Sequence, residues 1–288
     1  MSIRVYIDGQ IREPEAAVIS VFDRGFLFGD SVYETIALLD RRLIFLPEHL
    51  DRLERSAGRI YMDLPPRPQV EQAIRETIAA AEEKDARVRV MVTRGVGSVD
   101  IDPASAISPR LIVIVQPLGA PTAGMLKSGV SVAVVKVSRG EATGVNPAVK
   151  SGNYLGSVLA IAEARRRLPG VNEAILCSSS GSVAEGATSN VFAVEHGELE
   201  TPALEVGILD GVTRGKVLDL ARVAGIVARE LPFLAPESLR KADEVFLTSA
   251  VRGILPVVAV DGVQVGNGRP GPVTQRLLTL YQRLTSEA

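Results

Sequence analysis

Eight residues near the middle of the chain, Pro117-Leu118-Gly119-Ala120-Pro121-Thr122-Ala123-Gly124, hold two prolines and two glycines. Proline removes a backbone donor and fixes φ, and glycine releases the backbone, so no element interior is expected to run through this stretch. The pattern restarts after it. A first domain over residues 1–117, a linker over 118–124 and a second domain over 125–288 are expected. With 288 residues there is enough chain for two modest domains, each with its own core.

Before the linker, Arg4 to Asp8 reads as a strand that turns back at Gly9-Gln10. Pro47 opens a helix with Leu50, Leu53, Ala57 and Ile60 along one face, and a second helix is expected from Pro68 to about Glu83. Residues 87–93 alternate: Val88, Val90 and Val92 face one way, while Arg87, Arg89, Met91 and Thr93 face the other. Leu111 to Gln116 reads as a buried strand. After the linker come a strand (Val130 to Val137), a loop carrying Lys150, a helix (about Leu155 to Arg167) and a strand (Glu173 to Ser178). A hairpin follows, with Asn190 to Glu195 and Glu198 to Thr201 joined at His196-Gly197. Helices near Arg214 to Ala224 and Pro272 to Leu284, and strands at Glu244 to Thr248 and Pro256 to Val260, complete an α/β pattern. His49, on a helix rich in charge, and His196, in a hairpin turn, both read as peripheral.

The chain is 46% hydrophobic, and its net charge of −2 favours neither nucleic acid nor an anionic membrane as a partner. Cys177 is the one cysteine, which excludes an internal disulfide and a cysteine-based zinc site; no metal is expected. The first residues contain no apolar stretch of signal-peptide length, and the apolar runs Leu111 to Val115 and Ile254 to Val260 are too short to span a bilayer. A cytoplasmic protein is expected.

Three features point to chemistry. Lys150 lies between an apolar pair and the turn Ser151-Gly152-Asn153, and a lysine kept from water can act as an amine nucleophile. Glu185, before Gly186, could hold a protonated ring nitrogen. The turn Asp210-Gly211-Val212-Thr213 runs into a helix, whose first N–H groups attract a phosphate dianion; alternatively it is an ordinary helix start capped by Asp210 or Thr213. An amine, an acid and a phosphate turn are what pyridoxal 5'-phosphate requires of a protein.

These pieces, together with Asp23 to Glu34, the His49-Leu50-Asp51-Arg52-Leu53 helix, Glu185 to Phe192 and Thr248-Ser249-Ala250, resemble the class IV aminotransferases. That fold-type IV group includes branched-chain aminotransferases, D-amino acid aminotransferases and aminodeoxychorismate lyases. The resemblance runs from about Val5 to Tyr281. It implies two domains, a smaller N-terminal α/β domain and a larger C-terminal one with a barrel-like β core, assembled as a homodimer. It implies that Lys150 forms the Schiff base and shuttles the proton, and that Glu185 holds the pyridine nitrogen. Arg52, Val212, Thr213 and Ser249 would bind the phosphate, with a backbone contact from Ala250, where many relatives have threonine. Tyr154 would lie near the ring oxygen, and Thr188, Ser189 and Asn190 would fix the turn or reach the cofactor.

For the substrate, the resemblance places Tyr33 in the pocket wall and Arg89 near an arginine that branched-chain enzymes use. The arginine–histidine pair of the familiar D-amino acid enzyme is missing from Thr93 to Asp102, while Arg94 and Arg139 remain possible carboxylate partners. The expected reaction moves an amino group from a branched-chain-like or other apolar amino acid to a 2-oxo acid such as 2-oxoglutarate or pyruvate. Alternatives are an aminodeoxychorismate lyase releasing p-aminobenzoate, a D-amino acid aminotransferase with a non-standard carboxylate pocket, and a binding module without catalysis.

Overall fold

The turn at Asp8-Gly9 sets the first hairpin of the computed structural model. Both residues take positive φ, 45° and 92°, so Ile7 pairs directly with Gln10. A two-residue hairpin needs both central residues in that region, which moves the turn one residue earlier than expected and makes Gln10 the start of a strand. The structure describes residues 3–106, 108–119, 123–138 and 146–287. They fall into two units, Met1–Gly119 with Val149–Asn153, and Ala120–Ala148 with Tyr154–Ala288.

The first unit contains β1 (Arg4–Ile7), β2 (Gln10–Arg12), α1 (Arg24–Phe28), β3 (Ser31–Leu39), β4 (Arg42–Leu43), α2 (Leu46–Arg59), α3 (Arg67–Ala81), β5 (Ala86–Thr93) and β6 (Arg110–Pro117). Its sheet has the order β2-β1-β6-β5-β3-β4, with every pair antiparallel. The alternation in β5 holds: Val88, Val90 and Val92 are wholly buried, and Arg87, Arg89 and Met91 are half-buried. Each buried valine is worth about 1.5–3 kcal/mol. Helix α2 packs on β3, and α3 on β6 and β1. Helix α3 stops at Ala81 because Glu82 takes the left-handed conformation (φ 58°). Strand β3 is a departure from the expected pattern. It is buried along nearly all its length, so it lacks the alternation that marks a half-exposed strand.

Residues 149–153 follow the linker in sequence yet belong to this unit. Tyr33 N–H donates to the Lys150 carbonyl (3.0 Å), Gly152 N–H to the Ser31 carbonyl (3.0 Å), and Val32 bridges Ser151. The segment thus lies along the start of β3 as a short antiparallel companion. Of the expected linker, residues 120–122 lie outside the described residues, and Ala123 and Gly124 open the first helix of the second unit.

That unit runs α4 (Ala123–Ser128), β7 (Val130–Ser138), α5 (Leu155–Arg167), β8 (Glu173–Cys177), β9 (Val183–Gly186), β10 (Asn190–Glu195), β11 (Glu198–Pro202), α6 (Val212–Val223), β12 (Ala228–Leu231), α7 (Pro236–Lys241), β13 (Glu244–Ser249), β14 (Gly253–Val260), β15 (Val263–Gln264) and α8 (Pro272–Glu287). The sheet order is β12-β11-β10-β13-β14-β7-β8-β9, with β15 added to β14. It is mixed: β7 lies parallel to both β8 and β14, and β13 lies antiparallel to both β10 and β14. Strand β9 ends the order yet packs beside β10, so the sheet curls towards closure. Phe192 and Phe246 stack inside with ring centroids 4.9 Å apart. Helix α5 lies on β7 and β8 through the small buried residues Ala160 and Ala164. The mixed α/β fold expected from the sequence is the fold observed. No helix among the described residues is long and apolar enough to cross a membrane.

Candidate active site

One charged residue interrupts the apolar run of β3. Glu34 is fully buried, and Arg52 of α2 grips it through both edges: Nε donates to Oε1 (2.7 Å) and an Nη to Oε2 (2.8 Å). His49, one turn earlier on α2, adds Nδ1 at 2.7 Å from Oε2. Burial alone would raise the carboxyl's pKa, but the guanidinium charge and these hydrogen bonds outweigh it and hold Glu34 down to about 2. Glu34 is therefore an acceptor, and His49 Nδ1 carries the proton that it donates. Burial, only partly offset by Glu34, depresses the His49 pKa, so the ring stays neutral at neutral pH.

The other face of β3 presents Tyr33. The guanidinium of Arg89, on the neighbouring β5, lies 3.9 Å from the centre of its ring, and Lys150 Nζ lies 4.6 Å from the same centre. Lys150 is half-buried rather than fully enclosed. Its backbone is held on both sides, by Tyr33 N–H and by its own N–H to Ser56 Oγ of α2 (3.2 Å). Ser56 lies one turn beyond Arg52, so one helix positions both Lys150 and the Glu34–Arg52 pair. Arg87, two residues before Arg89 on the same strand face, keeps its Nε buried without a hydrogen-bond partner among the described residues. This unit thus brings Tyr33, Arg89 and Lys150 together, and places Arg52 against a carboxylate to which the sequence alone assigns no role.

The second unit assembles the acid. Glu185 is buried in β9 and accepts from Leu209 N–H (3.0 Å) and from the Asn190 side-chain amide (3.3 Å). The same amide donates to the Leu209 carbonyl (3.0 Å), so Asn190 fixes the segment that leads into α6. Helix α6 begins after Gly211, so its N-cap residue has no side chain to bond the first turn. The N-cap position is thus taken by Gly211, and not by Asp210 or Thr213 as in the alternative reading of this turn. A Cβ at Gly211 would collide with the Asn190 amide oxygen, so glycine lets the helix start press against that side chain. Val212 is half-buried; Thr213 is buried and hydrogen-bonds Tyr281, whose pKa burial pushes up. Opposite Asn190 in the ladder stands Thr248, with its Oγ1 buried and unpartnered among the described residues. Ser249 and Ala250 follow it and are half-buried.

Thr188 and Ser189 both turn to Glu173, a buried carboxylate in β8. Thr188 Oγ1 donates to it at 2.6 Å and Ser189 Oγ at 3.5 Å. Arg252 completes this cluster with contacts to Glu173, Thr188 and Ser249. Tyr154 is half-buried at the start of α5, where its carbonyl accepts from Val158 N–H (2.9 Å).

Two sequence-based readings are corrected. His49 is 1% exposed and bonded to Glu34, not peripheral; of the charged residues that follow it, Asp51, Glu54 and Arg55 are exposed while Arg52 turns inward with it. Arg94 is a staple in the fold and not a loop cation awaiting a carboxylate. Its Nε donates to Asp30 (2.7 Å), and its two Nη groups reach the carbonyls of Tyr61 and Ile60 (2.9 Å each). Arg139 lies outside the described residues. Cys177 is free, and burial pushes its thiol pKa up, away from nucleophilic chemistry. Among the residues not anticipated, Glu34 left one signal, a carboxylate in an otherwise apolar run; Glu173 and Arg252 left none.

The family model for amino-transferase class IV matches residues 31–260. The branched-chain-amino-acid aminotransferase of Escherichia coli K12 is 35% identical over 286 residues, covering 95% of this chain and 90% of that protein. The D-alanine aminotransferase of Bacillus licheniformis is 30% identical, covering 97% and 96%. The crystal structure of the T.th. branched-chain amino acid aminotransferase with pyridoxamine 5'-phosphate matches with a TM-score of 0.92 at 27% identity, covering 100% of this chain and 96% of that one.

Proposed function

The chain belongs to the class IV aminotransferase family and is a transaminase, and we propose that it moves an amino group from a branched-chain-like or other apolar amino acid to a 2-oxo acid such as 2-oxoglutarate or pyruvate. The observation that carries this reading is the shared ring of Tyr33. The candidate reacting amine, Lys150 Nζ, and the candidate carboxylate partner, Arg89, both lie against it, at 4.6 and 3.9 Å.

Class IV aminotransferases use pyridoxal 5'-phosphate, and the residues present fit that group. The second unit offers a buried carboxylate, a helix start whose N-cap is a glycine and a buried hydroxyl, Thr248 Oγ1, that lacks a partner among the described residues. The chemistry this cofactor supplies when bound is an aldehyde that carries the amino group and a ring that accepts the electron pair left on the substrate carbon. Glu185, oriented by Leu209 N–H and Asn190, holds the ring nitrogen protonated. The N–H groups of Val212 and Thr213, with Ser249 and Ala250, bind the phosphate; for Arg52 the same role rests on the family likeness of its helix motif alone. Thr188, Ser189 and Asn190 fix the turn beside Glu185, and Tyr154 sits by the ring oxygen. Lys150 Nζ would carry the proton from the donor's α-carbon to the carbon of the cofactor's aldehyde group, and the bonds from its backbone to β3 and Ser56 fix the stem of that side chain. Arg89 pairs with a substrate carboxylate, and beside it Arg87, whose Nε has no hydrogen-bond partner among the described residues, supports an acceptor with a second carboxylate.

A homodimer is proposed for the assembly. Phe22, Phe26, Val99 and Ile101 are all more than half exposed, and Gly97 N–H to Phe22 O and Arg24 to the Ile101 carbonyl tie their segments together. An apolar patch of this kind marks a surface that is covered in the assembled protein. A cytoplasmic location fits a chain with a single, free cysteine.

The test is a half-reaction. Purified protein loaded with pyridoxal 5'-phosphate is mixed with L and D forms of apolar amino acids, and the cofactor's visible absorbance is followed. Bleaching by L-leucine, L-isoleucine or L-valine, with recovery on adding 2-oxoglutarate, is expected. Bleaching by D-alanine alone would move the reading to the D-amino acid enzymes. Release of p-aminobenzoate from aminodeoxychorismate, without bleaching by any of these amino acids, would move it to the lyases.

A further inference from the structure

Arg252 lies in the turn after β13, three residues beyond Ser249, and its guanidinium joins three separate segments of the second unit. Nε donates to Ser249 Oγ (3.1 Å). An Nη donates to Glu173 Oε2 (2.8 Å), to Thr188 Oγ1 (2.7 Å) and, more weakly, to the Thr188 carbonyl (3.4 Å). Glu173 is 1% exposed and stands 79 residues away in sequence. The planar fork of the arginine therefore has one orientation, set from beneath by a buried carboxylate.

That orientation determines what Ser249 can do. A hydroxyl has two lone pairs and one hydrogen. With a lone pair accepting from Arg252 Nε, the Ser249 hydrogen is left to point at an acceptor, and the adjacent positive charge strengthens its donation. Ala250 brings no hydroxyl to this turn, so the burden of side-chain donation falls on Ser249. We propose that Arg252, braced by Glu173, is a positioning residue that aims the Ser249 hydroxyl at the cofactor's phosphate. A second consequence follows from the same guanidinium. Thr188 and Ser189 share Glu173 with Arg252, and Asn190, next in the chain, bonds Glu185. Arg252 thus couples the phosphate turn to the turn that orients the ring-nitrogen acid. The inference rests on the reading of this protein as a pyridoxal phosphate enzyme.

The experiment strips the full-length protein of cofactor and titrates it with pyridoxal 5'-phosphate and, separately, with pyridoxal, which lacks the phosphate. The ³¹P resonance of the bound phosphate is recorded in parallel. Arg252→Met is expected to weaken binding of the phosphorylated form ~10- to ~100-fold, leave pyridoxal within about twofold, and shift the ³¹P resonance. Ser249→Ala should do the same alone and add little in the Arg252→Met background, because both remove one interaction. Arg252→Lys keeps the charge but not the fork and should fail to restore the discrimination; it also serves if Arg252→Met does not fold. Equal weakening of both ligands, no weakening, or fully additive losses with Ser249→Ala would overturn the proposal. If the unaltered protein takes up neither ligand, the pyridoxal phosphate reading itself fails, and that result appears before any variant is made.

Discussion

Glu34 and Arg52 meet through two parallel hydrogen bonds of 2.7 and 2.8 Å in the interior of the first unit, with His49 on the remaining approach to the carboxylate. A buried charge pair returns its desolvation cost only when the geometry is this complete. The pair also prevents Arg52, a proposed phosphate ligand, from swinging freely.

Removing one partner should therefore be costly. Glu34→Gln leaves a guanidinium without its counter-charge and should lower unfolding stability by about 3–5 kcal/mol in denaturant titration. The acid limb of the stability profile should change too. The folded pKa of Glu34, about 2, lies below its ordinary 4.5, so its contribution is present above pH 4.5 and lost as the pH falls towards 2. The gap corresponds to about 3 kcal/mol, and the variant should lose that part of the acid dependence. An unchanged acid profile would contradict the assignment.

His49 should remain neutral in the folded protein below the pH at which a free imidazole protonates. Its folded pKa is depressed from 6.5, so the unfolded chain binds the proton first, and stability falls as the pH drops below that value. The slope from this group is at most about 1.4 kcal/mol per pH unit. His49→Gln should flatten the profile just below pH 6.5, and an NMR titration should find His49 still largely neutral where a free imidazole is already half protonated.

Lys150→Ala should cost at least ~10³-fold in transamination and remove the cofactor's visible band, while thermal unfolding stays cooperative. Retention of substantial turnover would remove Lys150 from the reaction.

Arg89→Met should raise KM for the 2-oxo acid ~10- to ~100-fold with little change in kcat, the pattern of a lost charge-assisted contact made equally in ground and transition states. A variant that is only less stable, with KM intact, would return Arg89 to an ordinary strand-face cation stacked on Tyr33.

Phe26→Glu places a charge in the exposed apolar patch of the first unit. Sedimentation should show a dimer for the unaltered protein and a monomer for the variant at the same concentration. A monomer in both cases would leave the patch without its proposed cover.

The sequence is most legible where a physical period or a local motif dominates. Val88, Val90 and Val92 announce one buried face of β5 by alternation, and the Asn190–Thr201 hairpin by its His196-Gly197 turn. Lys150 and Glu185 stand in short motifs from which their proposed roles are read without a fold. Legibility fails where burial comes from both sides, as in β3, whose near-continuous burial erases the period of two. It fails again where a partner lies far along the chain. His49 sits among charged residues in sequence, and only the packing of α2 on β3 turns it inward to Glu34. Glu173 and Arg252 belong to β8 and to the turn after β13, and nothing local in either segment announces the other. Arg94 escapes sequence reading for the same reason, since its acceptors, the carbonyls of Ile60 and Tyr61, come from the end of α2.

The short segment Val149–Asn153 packs with the first unit although both of its chain neighbours belong to the second. A gene fragment ending at residue 119 would encode a sheet without Lys150, the proposed reacting amine, and one beginning at residue 120 would carry that lysine with no β3 to hold it. The halves are therefore not interchangeable modules. Recombination, whether in evolution or in the laboratory, can succeed here only by moving both together.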